Sequence, residues 1–119
     1  LKSYGKGWHS YRYDVHVGGG ITVGEEYDEM TRRLAKLLTQ KRIDVVAIRH
    51  GVHWLFEVKP QAALSAVGQL LGYRVLYERE FKTPPRIRLA VVTDLCLPDD
   101  RYVFESHGIR LFLVQPEVI

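Results

Sequence analysis

The chain has 119 residues, 46% of them hydrophobic and 26% charged, a size and mix that predict one soluble globular domain over residues 1–119 with a single hydrophobic core. The formal net charge is +3, compatible with a polyanionic partner but not demanding one. Cys96 is the only cysteine, which excludes an internal disulfide or a cysteine-ligated iron–sulfur cluster within the chain and points to the cytoplasm. Neither a long apolar run nor a signal peptide is apparent, so no membrane association is expected. Residue 1 is Leu rather than Met, which raises the expectation of a flanking piece.

Residues 1–9 are rich in Gly, Lys and aromatics without a period and read as a mobile arm. From Tyr11 to Val17 the residues alternate, with Tyr11, Tyr13, Val15 and Val17 on one face, which predicts a half-buried strand. Gly18-Gly19-Gly20 reads as a flexible turn. No Gly-Lys-Ser/Thr follows to make it a phosphate loop. Thr22 and Glu25 have the spacing of a capping box, predicting a helix that runs to about Gln40 and buries Tyr27, Met30, Leu34, Leu37 and Leu38. Acids crowd its start and bases its end, as the helix dipole favours, and Asp28–Arg32 and Glu29–Arg33 have ion-pair spacing. Glu26 falls roughly 70° from the centre of the apolar stripe, at its border.

Two strands follow, Ile43–Arg49 and Val52–Lys59, joined at His50-Gly51. Gly accepts φ > 0, which suits a two-residue hairpin loop; facing residue numbers then sum to 101, and a four-residue loop keeps the same register. Asp44 would face Glu57, and Lys59, two residues on, would share that face. Facing carboxylates repel unless one is protonated or a cation lies between them. Both faces of the hairpin are apolar, as in interior strands covered on both sides, so buried acids there are costly and favour a function. His50 and His53 read as turn and near-turn residues rather than zinc ligands.

Lys59-Pro60 ends the strand, and a helix is expected over 63–80 with Leu64, Val67, Leu71 and Val75 as its stripe. Gln69 and Tyr73, four apart, share one helix face. After the Thr83-Pro84-Pro85 loop, Arg86–Thr93 is a strand, completing a right-handed βαβ crossover from Val52. Residues 94–98 read as a loop, Asp99 or Asp100 as the cap of a short helix stopped by Gly108, and 109–114 as a last strand.

Asp44, then Glu57-Val58-Lys59, with Gln69-Leu-Leu-Gly-Tyr73 downstream, resembles the PD-(D/E)XK nuclease superfamily, in particular its Holliday-junction resolvase-like branch bearing Q-x-x-x-Y. The match spans roughly residues 26–93; Arg42 and Ile43 stand where the family name has a proline. The resemblance implies an α/β fold with a mixed central sheet flanked by helices, a restriction-endonuclease-like core. That core runs αβββαβ, and no strand fits between Gln40 and Ile43 for its first β, a slot that Tyr11–Val17 would fill from before the helix.

The resemblance implies a Mg²⁺- or Mn²⁺-dependent nuclease acting on nucleic acid, DNA foremost. Asp44, Glu57, the Val58 carbonyl and, from the first helix, Glu26 would hold the metal. Lys59 would orient or deprotonate the attacking water or stabilise the transition state. Gln69 would position Lys59 or a phosphate, and Tyr73 would contact phosphate or stack on a base. Arg74, Arg79, Lys82, Arg86 and Arg88 would give a phosphate footprint. Cutting both strands would require a homodimer or a larger phage or bacterial assembly. Two competing readings remain: a catalytically silent module of the same fold that binds nucleic acid or protein, and an assembly part in which Asp44 pairs with Lys59 while Glu57 is protonated.

Overall fold

A computed structural model describes Trp8 and residues 10–114. The expected arm at residues 1–9 lies outside the described residues except for Trp8. The elements are β1 (Ser10–Val17), α1 (Glu29–Thr39), β2 (Lys41–Arg49), β3 (Val52–Val58), β4 (Gln61–Ala62), α2 (Ser65–Glu78), β5 (Arg86–Thr93), β6 (Leu95–Cys96), α3 (Pro98–Ser106) and β7 (Ile109–Leu113). A five-stranded mixed sheet has the order β1-β2-β3-β5-β7. β1 pairs antiparallel with β2, so the strand before the first helix does fill the slot beside the hairpin. β2 starts at Lys41, two residues earlier than the apolar pattern indicates, because Lys41 and Arg42 are drawn into the ladder by Val17 and His16.

The hairpin register is as expected. Arg49 pairs with Val52 and Val45 with Phe56, and His50 and Gly51 both have positive φ, 52° and 74°, as a tight turn matching strand twist requires. β3 and β5 run parallel across the α2 crossover, and β7 extends the parallel set. The tiny β4–β6 ladder, absent from the sequence reading, ties together the chain just past β3 and β5. Two-residue strands carry no periodicity to detect.

α2 packs on one face of the sheet, where Ala66, Leu70, Tyr73 and Tyr77 meet Val46, Leu55, Leu89 and Val91; Phe104 of α3 joins the same cluster. The buried stripe is therefore not the expected one: Val67 is buried, but Leu64 and Val75 are exposed. Tyrosines displace them because their rings bury large areas while their hydroxyls reach polar partners. The Tyr77 hydroxyl lies 2.6 Å from His53 Nδ1 and accepts from Arg12 at 3.2 Å. Burial, helped by the Arg12 charge, holds His53 below its ordinary pKa. On the opposite face Val45, Ala47, Phe56, Ala90 and Val92 are covered by Trp8, Tyr11, Trp54, Phe112 and Val114, so aromatic side chains do the work expected of a second helix layer.

α1 corrects three expectations. Thr22 and Glu25 form no cap; the helix begins at Glu29, where Asp28 accepts the Thr31 N–H at 2.7 Å. Asp28 thus caps rather than pairing with Arg32, and the hydrogen bond keeps its carboxyl below the ordinary range. No residue of α1 is buried, and Met30 and Leu38 are 72% and 78% exposed. The periodic stripe is real, but periodicity shows only that a helix has an apolar face, not what covers it. The glycine run is a built contact rather than a loose turn: Gln40 donates to the Gly18 carbonyl at 2.6 Å and the Ile21 N–H to Thr39 Oγ1 at 2.5 Å. A Cβ at Gly20, which has φ +64°, would strike the Lys36 carbonyl. In α3, Leu97 occupies the cap position without a side-chain bond and Pro98 opens the helix, so Asp99 and Asp100 sit in the first turn instead of capping.

This division of the two helices predicts unequal costs. Leu70→Ala should destabilise by roughly 2–5 kcal/mol, as a truncation in a packed core does. Leu34→Ala should cost less than about 1 kcal/mol, as a surface change does. Urea unfolding of both variants checks this; a large loss at Leu34 would mean that α1 is packed against something in solution.

Candidate active site

The end of the central hairpin gathers the acids. The β2–β3 ladder closes at Val45↔Phe56, one pair short of Asp44 and Glu57. There Asp44 Oδ2 accepts the Val58 backbone N–H at 2.8 Å, so its carboxylate replaces the next ladder bond. Local alternation breaks at this residue, since Ile43 joins the α2-side cluster while Val45 joins the other. On the neighbouring strand Asp14, between the pairs Tyr13↔Val45 and Val15↔Ile43, has a φ of 50°. The two acids therefore meet at an irregular strand end, rather than as the plain facing pair that the register alone indicates.

Glu57 is 3% exposed, one of only two buried polar or charged residues among those described. Its Oε1 lies 3.4 Å from Lys59 Nζ, whose side chain is 42% exposed. Its Oε2 is buried with no hydrogen-bond partner, as is Gln69 Oε1. Burial, then the Asp44 charge, raises the Glu57 pKa; Lys59 offsets part of this. The ion pair is thus Lys59–Glu57, not the Asp44–Lys59 pair of the structural alternative.

α2 closes the site from above. Tyr73 is buried, and its phenol is pushed up to about 12, first by burial and then by the Glu57 carboxylate. Gln69, one turn earlier, lines with Tyr73, Lys41, Gly68, Gly72 and Leu76 a cleft of about 300 Å³. Tyr73 therefore meets Glu57 from α2, while Gln69 lines the cleft one turn away. Lys41 is a cation at this cleft; the β1 pairing that carries it there has no local signature in the sequence.

The corner carrying Lys59 is braced. The Lys59 N–H donates to the Val92 carbonyl at 3.0 Å, and the buried Thr93 hydroxyl donates to the Pro60 carbonyl at 3.0 Å. Thr93 was not legible as part of this brace, since its partners become neighbours only through the parallel β3–β5 pairing.

Other expected residues lie elsewhere. Glu26 is exposed in the turn before α1, folded against Gly24. Among the described residues no group of three or more His, Cys, Asp or Glu side chains is close enough to hold a metal, so Glu26 does not complete a set with Asp44 and Glu57. Arg86 and Arg88 pair with Val52 and Trp54, whereas Glu57 pairs with Val91, so these arginines occupy the opposite end of the strands. Arg74 lies there too, bonded to Glu78 at 3.3 Å and lining a cleft with Arg86 and Arg88. Arg79 and Lys82 are exposed beyond α2. The Val58 carbonyl lies on the chain between Glu57 and Lys59.

Comparison with solved structures finds likenesses at this fold. A repair endonuclease from Pyrococcus abyssi superposes with TM-score 0.53 at 22% identity, covering 64% of this chain and 34% of that one. A protein of unknown function, AF1548, gives 0.58 at 18% identity, covering 88% and 48%. An EndoMS–dsDNA complex gives 0.53 at 19%, covering 87% and 40%. The chain thus spans about a third to a half of the length of these structures. The likeness is one of fold: a mixed five-stranded α/β domain of the kind found in these endonuclease structures. No family profile and no curated protein matches the sequence.

The buried acid carries a pH signature. Its folded pKa is raised above the ordinary 4.5, so its contribution to stability is fully present below that value and is lost as pH rises through the folded pKa. Glu57→Gln should therefore raise the melting temperature in EDTA near neutral pH, and the gain should vanish as the pH falls below that ordinary value of 4.5. Paired melts across that range test it. A Gln variant less stable than the parent at neutral pH would mean that the ionised carboxylate is a net stabiliser.

Proposed function

We propose that this domain is a divalent-metal-dependent nuclease that hydrolyses phosphodiester bonds in DNA. The observation carrying this reading is the buried Glu57 carboxylate beside Asp44, with Lys59 at one oxygen and no donor at the other. A buried acceptor-only oxygen is costly unless a cation or proton meets it. Mg²⁺ or Mn²⁺ fits such a donor set, because Mg²⁺ takes one or two carboxylates and keeps its remaining positions for water and substrate oxygens. Asp44, Glu57 and the Val58 carbonyl would hold it. Bound there, it supplies charge stabilisation at phosphorus and a more acidic water.

The chain's own groups have separable tasks. Asp44 is oriented by the Val58 N–H, which holds its carboxylate beside Glu57. Lys59, half-exposed at a braced corner, presents its ammonium both to Glu57 and to whatever approaches from solvent. That position suits orienting the attacking water or stabilising charge on the phosphoryl oxygens. Tyr73, with its phenol held protonated at neutral pH, acts as a hydrogen-bond donor and not as a base. Gln69, one turn before Tyr73, keeps a buried oxygen without a partner that would accept from a water. DNA as substrate is supported by the neighbouring structures, one a repair endonuclease and one a complex with dsDNA.

The test is cleavage of labelled DNA with Mn²⁺. Asp44→Ala, Glu57→Ala and Lys59→Ala should each cut at least about 100-fold more slowly, with non-additive double variants because the groups act as a unit. Tyr73→Phe should lower the rate more than it lowers the melting temperature. Metal binding has its own readout: Mn²⁺ at a hundred times its Kd should add about 2.7 kcal/mol of stability to the parent, and little to Glu57→Gln. Undiminished cutting by Lys59→Ala, or a parent melt indifferent to Mn²⁺, overturns the reading.

A further inference from the structure

The sheet face away from α2 is not covered by any described helix, and its composition is unusual. Each rung across it can be followed through the register. Arg49 pairs with Val52 and Val52 with Arg86. Tyr11 pairs with Ala47, Ala47 with Trp54 and Trp54 with Arg88. Tyr13 pairs with Val45, Val45 with Phe56, Phe56 with Ala90 and Ala90 with Arg110. Directly paired residues project to the same side, so these rungs place arginines and aromatics together, with no carboxylate among them.

The arginines sit on the rings. The guanidinium of Arg49 is 5.8 Å from the Trp8 ring centre, Arg88 is 5.4 Å from Trp54, and Arg110 is 5.2 Å from Phe112. Trp8, Trp54 and Phe112 remain partly exposed, and Tyr13 is 66% exposed. At one end the face runs into a cleft of about 320 Å³ lined by Val58, Lys59, Val92, Thr93, Asp94 and Val114, which adjoins the candidate site.

We propose that this face binds an unpaired stretch of nucleic acid, with bases stacking on Tyr13, Trp8 and Trp54 and phosphates meeting Arg49, Arg88 and Arg110. Every base has a π-face, so aromatic rings interleaved with cations hold a single strand without reading its sequence. A duplex keeps its bases stacked on one another and would use only the arginines. An apolar protein surface would have to strip water from the same guanidinium groups without offering them an anion. The proposal concerns binding and stands apart from cleavage.

The tryptophans supply a direct readout, because the chain has only two and both lie on this face. The full chain, held in EDTA so that no metal-dependent cutting occurs, is titrated with oligothymidylate and with a blunt duplex of equal length while tryptophan fluorescence is followed. Saturable quenching is expected, at least tenfold tighter for the single strand. Tyr13→Ala should weaken binding about tenfold with an unchanged salt slope, as loss of one stacking ring does. The Arg88→Ala/Arg110→Ala double variant should flatten the salt slope by about 1.4, the value for two phosphate contacts on a single strand. Absence of quenching, equal affinity for duplex and single strand, or parent-like binding by Tyr13→Ala and by the double arginine variant would each overturn the proposal. The last result would mean that the arginines only shield the sheet. Tyr13→Ala is exposed enough to fold normally, so the test survives if the double variant does not.

Discussion

The register of β2 against β3 is the constraint on which the rest depends. It is fixed at the turn, where His50 and Gly51 both adopt positive φ and lock Arg49 opposite Val52. A slip of one residue would turn every side chain of a strand to the other face. It would carry Glu57 out from under α2 and bring Trp54 and Phe56 into the α2 core. The same register that buries Glu57 therefore assembles the aromatic face on the other side of the sheet.

Burying Glu57 runs against the usual economy of a core. The carboxylate is desolvated, lies beside a second acid and leaves one oxygen without a donor, while only one side of it is met by Lys59. The surroundings are built to keep this arrangement in place. Asp44 is tied to the Val58 N–H, the Lys59–Pro60 corner is tied to Val92 and Thr93, and Tyr73 leans over the site from α2. Polar groups held this firmly in an unfavourable state are more typical of a site that binds or reacts than of a core optimised for stability.

The two faces of the sheet solve the covering problem differently. One is closed by α2 and α3 through a continuous apolar cluster into which the Tyr77–His53–Arg12 network is set. The other is closed largely by aromatic side chains, with guanidinium groups set over the Trp8, Trp54 and Phe112 rings. α1 serves neither face, although its sequence carries the strongest helical amphipathicity in the chain. Its tether is at its C-terminal end, through Gly18, Gly20 and Gln40.

Features governed by near neighbours in the chain were legible from the sequence. The positive-φ turn at His50-Gly51, the stop at Gly108 and the helical spacing of Gln69 and Tyr73 each depend on residues within a few positions, whereas the single face expected of β1 is broken at Asp14, which has positive φ and leaves Tyr11 on the aromatic side of the sheet and Val15 and Val17 on the α2 side. The candidate acids and Lys59 followed from that register plus a short motif, and so did the fold class. What only the tertiary structure decided depends on residues far apart. These include the replacement of Leu64 and Val75 by Tyr73 and Tyr77 in the α2 core. They also include the exposure of the α1 stripe, the brace from Thr93, and the gathering of Arg49, Arg88 and Arg110 over one set of rings. The physical reason is that periodicity specifies how a segment divides into faces, whereas the partner that each face meets is fixed by strand order and by which polar tips find hydrogen bonds once the chain is packed.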